Sequence, residues 1–131
     1  MRKVISSLLI VLVLVASLAI TASAATQTTY GYEPFRLSSS ENEAYSAPNS
    51  GTGGMVDCHV YTGSKYACSF ALEMDSGSGY KRVLTDSCEV NSDATTGYYT
   101  PTGTATFRGV IWIPGIPWSG STADGVLTYG Y

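Results

Sequence analysis

From Met55 to the last residue, apolar and polar side chains alternate in runs that glycine-rich turns separate. Val56, Cys58 and Val60 alternate with Asp57 and His59, and similar runs follow at residues 66–74, 80–90, 103–113 and 126–131. A period of two is typical of β-strands with one face on a core, and no stretch after residue 24 shows a helical period. The pattern predicts an all-β domain of five to six strands, arranged as a small antiparallel sandwich or partly open barrel.

The first 24 residues have the composition of a secretory signal peptide. Arg2 and Lys3 precede a largely apolar run at 4–20, and the small residues Ala22-Ser23-Ala24 follow it. This order of basic, apolar and small residues predicts export with cleavage after Ala24 or one residue later. The apolar run is at the lower limit for a membrane-spanning helix and contains serines. The sequence therefore favours a secreted, extracellular protein without a membrane segment after cleavage.

Residues 25–54 do not share the alternating pattern. Three polar stretches, at 38–40, 41–43 and 49–54, have no sustained periodicity, which is typical of loops. Tyr30, Tyr32 and Phe35 supply at most one early strand. The predicted organisation is a signal peptide over 1–24, a loop-rich N-terminal segment over 25–54 and an antiparallel β domain over 55–131.

The charge balance excludes one class of partner. Once Arg2 and Lys3 leave with the signal, five of the seven basic residues remain against ten acidic ones. Nucleic-acid binding needs clustered Lys and Arg to displace counterions from phosphates. The sequence therefore predicts no nucleic-acid partner and no polybasic membrane-surface module.

Cys58, Cys68 and Cys88 are disulfide candidates in an exported chain. Facing residues of a hairpin share a face, so a three-residue loop at 62–64 would place Cys58 opposite Cys68. A loop at 77–79 would likewise place Cys68 opposite Cys88. The expectation is one bridge through Cys68, with Cys58–Cys68 preferred and Cys68–Cys88 as the alternative. The left-over thiol is then buried or links a dimer. Because the C-x-x-C spacing of thiolate metal sites is absent, no metal is predicted.

His59 is the only histidine, so any histidine-dependent mechanism must use it. The hairpin just described would place Asp57 opposite Ser69 on the outer face, with His59 one diagonal away. This set has the residue types of a Ser-His-Asp site, but a flat strand face offers neither a pocket nor an oxyanion hole. Polar residues on a solvated strand face are therefore the preferred interpretation, and His59 is predicted to be dispensable. No catalytic residue and no cofactor are predicted.

Aromatic residues give the strongest indication of function. Trp112 has outer-face parity on its strand, Trp118 lies in a Pro-Gly loop, and Tyr98 and Tyr99 precede that strand. Exposed rings can stack on sugars or anchor a protein partner. The competing interpretation is that both tryptophans cover the open end of a core with few aliphatic residues.

The sequence thus favours a secreted binding module for a cell-envelope glycan or an extracellular protein. Two alternatives stay open: a small secreted hydrolase that uses His59, and a structural or antagonistic peptide without a small-molecule site.

Overall fold

The computed structural model describes residues 28–115 and 119–131, and the predicted signal peptide lies outside these ranges. Nine β-strands occur in the described residues, and no helix does. It follows that no helix of this part is long and apolar enough to cross a membrane. The strands are β1 (Tyr30–Leu37), β2 (Glu43–Tyr45), β3 (Asn49–Gly51), β4 (Gly53–Val60), β5 (Cys68–Asp75), β6 (Tyr80–Cys88), β7 (Ser92–Thr95), β8 (Ala105–Trp112) and β9 (Ala123–Gly130).

The strands form two antiparallel sheets. The front sheet has the order β1-β9-β4-β7, and the back sheet has the order β2-β8-β5-β6 with β3 also paired to β8. The all-β class predicted from the alternation is confirmed, and the architecture is a two-sheet sandwich. The predicted number of five to six strands is too low. Strands β2, β3 and β7 are three or four residues long, too short for alternation to reveal them.

Strand β1 is an eight-residue edge strand within the segment that the sequence indicated to be loop-rich. It pairs along its whole length with β9, from Tyr30 opposite Gly130 to Leu37 opposite Ala123. Pro34 lies in its middle, and proline is tolerated there because an edge strand leaves one row of backbone groups unpaired. With β2 and β3 on the back sheet, residues 30–51 contribute strands to both layers.

The core lies between the sheets and consists of the inward-facing alternate residues. Phe35 of β1 packs into space left by two glycines, one from each sheet. A Cβ atom at Gly125 would lie 2.5 Å from the Phe35 ring, and one at Gly109 would lie 2.7 Å from it. Phe35 thereby joins the layers where both backbones come close. The largest fully buried side chains are Phe70, Phe107, Leu37, Leu72, Ile111 and Leu127.

The predicted hairpin between residues 55–60 and 66–74 is wrong, because the chain crosses from one sheet to the other at that point. Strand β4 pairs with β9 and β7, whereas β5 pairs with β6 and β8. Cys58 therefore faces Ala94 and Gly125 instead of Cys68. Alternation indicates which face of a strand is buried, but it does not indicate which strand lies beside it.

The second predicted hairpin is correct at the cysteines. Cys68 lies opposite Cys88, although the turn is one residue longer than predicted and a register shift between Leu72 and Glu73 compensates for it.

All three cysteines are buried, free thiols, so the expected bridge through Cys68 is absent from the structure. The Cys88 thiol donates to the Ser92 carbonyl at 3.2 Å. Burial raises the pKa of Cys68 to about 11 and also raises the pKa of Cys58 and Cys88. The three side chains thus act as small apolar groups of the core.

Candidate functional site

The outer surface of the front sheet, called here the front face, is organised in rows that run across its strands. Two neighbouring rows carry polar groups and lie side by side. The charged row contains Arg36, Asp124, His59 and Asp93, from β1, β9, β4 and β7 respectively. The middle row contains Pro34, Val126, Asp57 and Thr95, in the same strand order. One side chain from each of four strands thus builds each row.

Two side-chain pairs hold the charged row in place. The Arg36 guanidinium binds Asp124 through two bonds, Nε to Oδ1 at 2.6 Å and Nη2 to Oδ2 at 3.0 Å. His59 Nδ1 lies 2.7 Å from Asp93 Oδ1. Tyr61, just beyond β4, connects the pairs, because its hydroxyl donates to Asp124 and its ring meets the His59 ring edge-on at 4.9 Å.

The bonds to Asp124 set its protonation. The Arg36 guanidinium, with a further bond from the Tyr61 hydroxyl, lowers the pKa of the Asp124 carboxyl below its usual value. The same contact with Asp124 raises the pKa of the Tyr61 hydroxyl. Asp124 is therefore a carboxylate at neutral pH, and its neighbour Tyr61 keeps its proton.

A shallow trough runs between the charged row and the middle row. It consists of two depressions, of about 470 Å³ and about 430 Å³, which share Asp124 and Val126 in their lining. The first extends over β4 to β7, where Asp93 and Thr95 line it. The second extends to β1, where Pro34 and Arg36 line it. The trough therefore spans all four strands of the front sheet.

Exposed tyrosines lie on both sides of this trough. Tyr61 borders the charged row, and Tyr32 lies one row beyond the middle row, opposite Thr128. Tyr32 is 66% exposed. Farther along the same face, Tyr98 covers Gly53 and Gly130, where a Cβ atom would come within 2.5 Å and 2.6 Å of it. Tyr98 also meets Tyr30 edge-on at 6.1 Å.

The opposite surface of the sandwich is called here the back face. It has similar residue types, but their side chains pack against one another and leave little surface exposed. The carboxylate of Glu73 on β5 accepts from Arg108 Nε at 2.8 Å and from Arg82 Nε at 3.3 Å. Its side chain is only 9% exposed. The Arg82 guanidinium lies 3.9 Å from the centre of the Trp112 ring. That of Arg108 lies 3.9 Å from Tyr80 and 4.3 Å from Tyr45.

The four residues proposed from sequence for ligand binding do not form one surface. Trp112 is on the back face beneath Arg82, whereas Tyr98 is on the front face. Tyr99 is partly buried against the core and pairs with Gly54. Trp118 lies outside the described residues. Of the described three, Tyr98 alone shares a face with the trough.

The set Asp57, His59 and Ser69 is not assembled either. Asp57 and His59 lie on the front face, but Ser69 is on β5 of the back sheet, opposite Trp112 and Ser87. The partners of His59 are instead Asp93 and Tyr61. Thr95 supplies the only aliphatic hydroxyl among the described residues that line the depressions, and it accepts from Gly97 N at 3.3 Å. This arrangement is suited to binding polar ligands.

Arg36, Tyr61 and Asp124 were not among the residues predicted from the sequence to form a site. Tyr30, Tyr32, Pro34 and Arg36 alternate with inward-facing residues along β1, and this exposed parity is the signal that could have identified the face. Their convergence with Asp124 depends on the pairing of β1 with β9, strands 88 residues apart at the Arg36–Asp124 contact.

Comparison with known proteins yields likenesses of fold only. No protein-family model and no curated protein matches the sequence. A capsid structure of Helicobacter pylori bacteriophage KHP30 is 9% identical, with a TM-score of 0.49 over 80% of this chain and 92% of that one. PirA is 9% identical, with a TM-score of 0.39 over 82% and 95%. TmCBM61, solved with beta-1,4-galactotriose, is 13% identical, with a TM-score of 0.38 over 85% and 76%. Likenesses this distant carry no argument about ligand or activity.

Proposed function

We propose that this protein is an exported carbohydrate-binding module that holds its ligand in the trough of the front face. One observation carries the proposal: polar groups line an open trough, and exposed tyrosine rings lie just outside its two lining rows on the same face. Sites for small ligands combine apolar surface with a few polar groups that fix orientation.

A sugar suits this surface because it has both kinds of group. Its C–H faces can pack on the rings of Tyr32 and Tyr61, as tyrosine offers an apolar body with a polar tip. Its hydroxyls can donate to the carboxylates of Asp57 and Asp93 and accept from Arg36. The Arg36–Asp124 and His59–Asp93 pairs already orient Arg36 and Asp93, which reduces the entropy lost on binding.

Export supplies the setting of the proposal. The basic, apolar and small-residue order of residues 1–24 is the reason for placing the protein outside the cell. There it would meet glycans of a cell envelope or an extracellular matrix.

Hydrolysis is the second candidate, because His59 lies in the depression with a carboxylate 2.7 Å away. A hydroxyl or thiol nucleophile that His59 activates would have to be hydrogen-bonded to it, and the hydrogen-bond partner of His59 is the Asp93 carboxylate. Cys58, adjacent in sequence, is 3% exposed and part of the core. Binding is therefore the better-supported function. A His59→Ala variant that abolished a hydrolytic activity of the wild type would reverse this order.

Affinity electrophoresis of the purified protein through gels containing xylan, mannan, galactan or soluble cellulose derivatives tests the proposal. We expect retardation by at least one neutral polysaccharide and loss of most of it in Tyr32→Ala. Tyr131→Ala is the matched control. Tyr131 is 65% exposed against 66% for Tyr32, and it shares the inward parity of Leu127 and Tyr129. No retardation by any glycan, or equal losses in both variants, would contradict the proposal.

A further inference from the structure

We infer that the trough binds the interior of an uncharged polysaccharide chain, which lies across the strands of the front sheet. This inference rests on the proposed function and adds the class of ligand and its direction. Three features of the trough carry it: both ends are open, its length matches several sugar units, and its charged groups disfavour acidic sugars.

The trough is open because it ends at edge strands on both sides. The order of the front sheet is β1-β9-β4-β7, so within residues 28–115 and 119–131 no further strand pairs with the outer side of β1 or β7 in it. One depression reaches Pro34 and Arg36 on β1, and the other reaches Asp93 and Thr95 on β7. Arg36 and Asp93 carry exposed side chains, 59% and 85% respectively. A polymer can therefore enter at one edge and leave at the other.

The length of the trough follows from the sheet geometry. Neighbouring strands lie about 4.8 Å apart, so four strands span roughly 14 Å from the first axis to the last. Every one of these strands presents a residue of the middle row and a residue of the charged row. A monosaccharide would contact only part of this length, whereas an oligosaccharide would contact the polar groups of all four strands.

The charges of the trough select against anionic ligands. Arg36 is the only arginine or lysine among the described lining residues, and Asp124 already binds it through two hydrogen bonds. The Asp57 and Asp93 carboxylates lie in the same lining. A uronate or sulfate would approach these carboxylates without a free cation to balance it, which costs binding free energy. Neutral hydroxyls, in contrast, can donate to them.

A length series tests the inference. The probes are oligosaccharides of the neutral polysaccharide that retards the protein most, from the monosaccharide to the hexasaccharide, measured by calorimetry. We expect affinity to rise by about tenfold or more up to the length that fills the trough, and then to level off. A bulky group on either chain end of the hexasaccharide should change its affinity by less than about twofold. The carboxymethylated polymer should bind more weakly than the neutral one.

A variant that closes one end of the trough provides a structural test. Thr95 is exposed on β7, so Thr95→Trp places a large ring where a long chain would leave the sheet. We expect this variant to lose more affinity for the polymer than for the shortest oligosaccharide that binds, and equal losses for both would overturn the inference. Thr85→Trp is the control, since Thr85 is exposed on β6 of the back sheet.

These experiments distinguish failure of the inference, which concerns a neutral chain interior, from failure of the proposed glycan-binding function. Binding to neutral glycans with equal affinity for monosaccharide and hexasaccharide would overturn the inference and leave the binding module standing. The inference would also be overturned if a bulky group on a chain end abolished binding, or if the protein preferred the carboxymethylated polymer. The proposed binding function would stand in both cases. Absence of binding to any glycan would overturn both.

Discussion

The front face and the back face of the sandwich both combine an arginine with a carboxylate and an aromatic ring, but these groups are more exposed on the front face. On the back face, the Glu73 carboxylate is nearly buried, both of its arginine partners stack on aromatic rings, and Trp112 is covered in the process. On the front face, Arg36 and Asp93 are exposed, and Tyr32 has no stacked partner among the described residues. This difference in exposure is the reason for placing the proposed binding site on the front face.

The same comparison separates Trp112 from the front face. Its outer-face parity is correct, because it lies opposite Glu43 and Ser69 on the outside of the back sheet. Its ring is nevertheless covered by Arg82, which comes from β6. That contact depends on the order of strands in the sheet, so the spacing of residues around Trp112 does not reveal it.

The largest expected effect comes from removing the carboxylate of the back face. Glu73→Ala removes a carboxylate that is only 9% exposed and that accepts a hydrogen bond from both Arg82 and Arg108, which should cost about 2 kcal/mol. Urea unfolding followed by circular dichroism measures this loss. Glycan binding below the unfolding transition should be unchanged, because the front face is separate. A loss of stability under about 1 kcal/mol would mean that the back face is as loosely held as the front face.

The second largest expected effect concerns the packing of the Tyr98 ring over Gly53 on the front face. Tyr98 occupies space that a Cβ atom at Gly53 would need, at 2.5 Å from its ring. Gly53→Ala must therefore displace the ring and should cost about 1–2 kcal/mol. In a Tyr98→Ala background the same substitution should be nearly neutral, since the clash is gone. A double-mutant cycle by urea unfolding measures this coupling. Equal costs in both backgrounds would show that Tyr98 does not rest on Gly53.

The two faces also show which features of the fold could be predicted from the sequence. Alternation correctly assigned Val56, Val60, Leu72 and Ile111 to the core, where all four are fully buried. It did not predict the neighbours of each strand, because a period of two is the same for every partner. The crossing between β4 and β5 therefore appeared as a hairpin. The trough could not be predicted because it depends on the order of strands in the front sheet. Each of its two rows contains one residue from each of the four strands.

The third prediction concerns pH and the Arg36–Asp124 pair. The folded-state pKa of Asp124 is lowered, so the pair stabilises the fold above the usual carboxyl pKa of 3.8. This contribution is lost as the pH falls below 3.8 through the lower folded-state value. Because the side chains are 59% and 36% exposed, solvent screening keeps this contribution small.

The difference in Tm between the wild type and Asp124→Asn measures this contribution across pH. We expect a constant difference from neutral pH to about pH 5, and a shrinking difference below pH 4. A difference that grew on acidification would contradict the assignment of Asp124 as the ionised partner of Arg36.

The smallest expected effect on stability comes from Asp93, the most exposed member of the charged row. Its side chain is 85% exposed, so its pair with His59 is screened by water. Asp93→Ala should change the free energy of unfolding by less than about 0.5 kcal/mol in urea. If Asp93 accepts from a sugar hydroxyl, the same variant should weaken the binding of the hexasaccharide by about fivefold to tenfold.

Asp86→Ala is the control, because Asp86 is an exposed carboxylate on β6 of the back sheet. It should leave both the free energy of unfolding and the affinity unchanged. A large loss of stability in Asp93→Ala, or equal weakening of binding in both variants, would remove the distinction between an open front face and a closed back face.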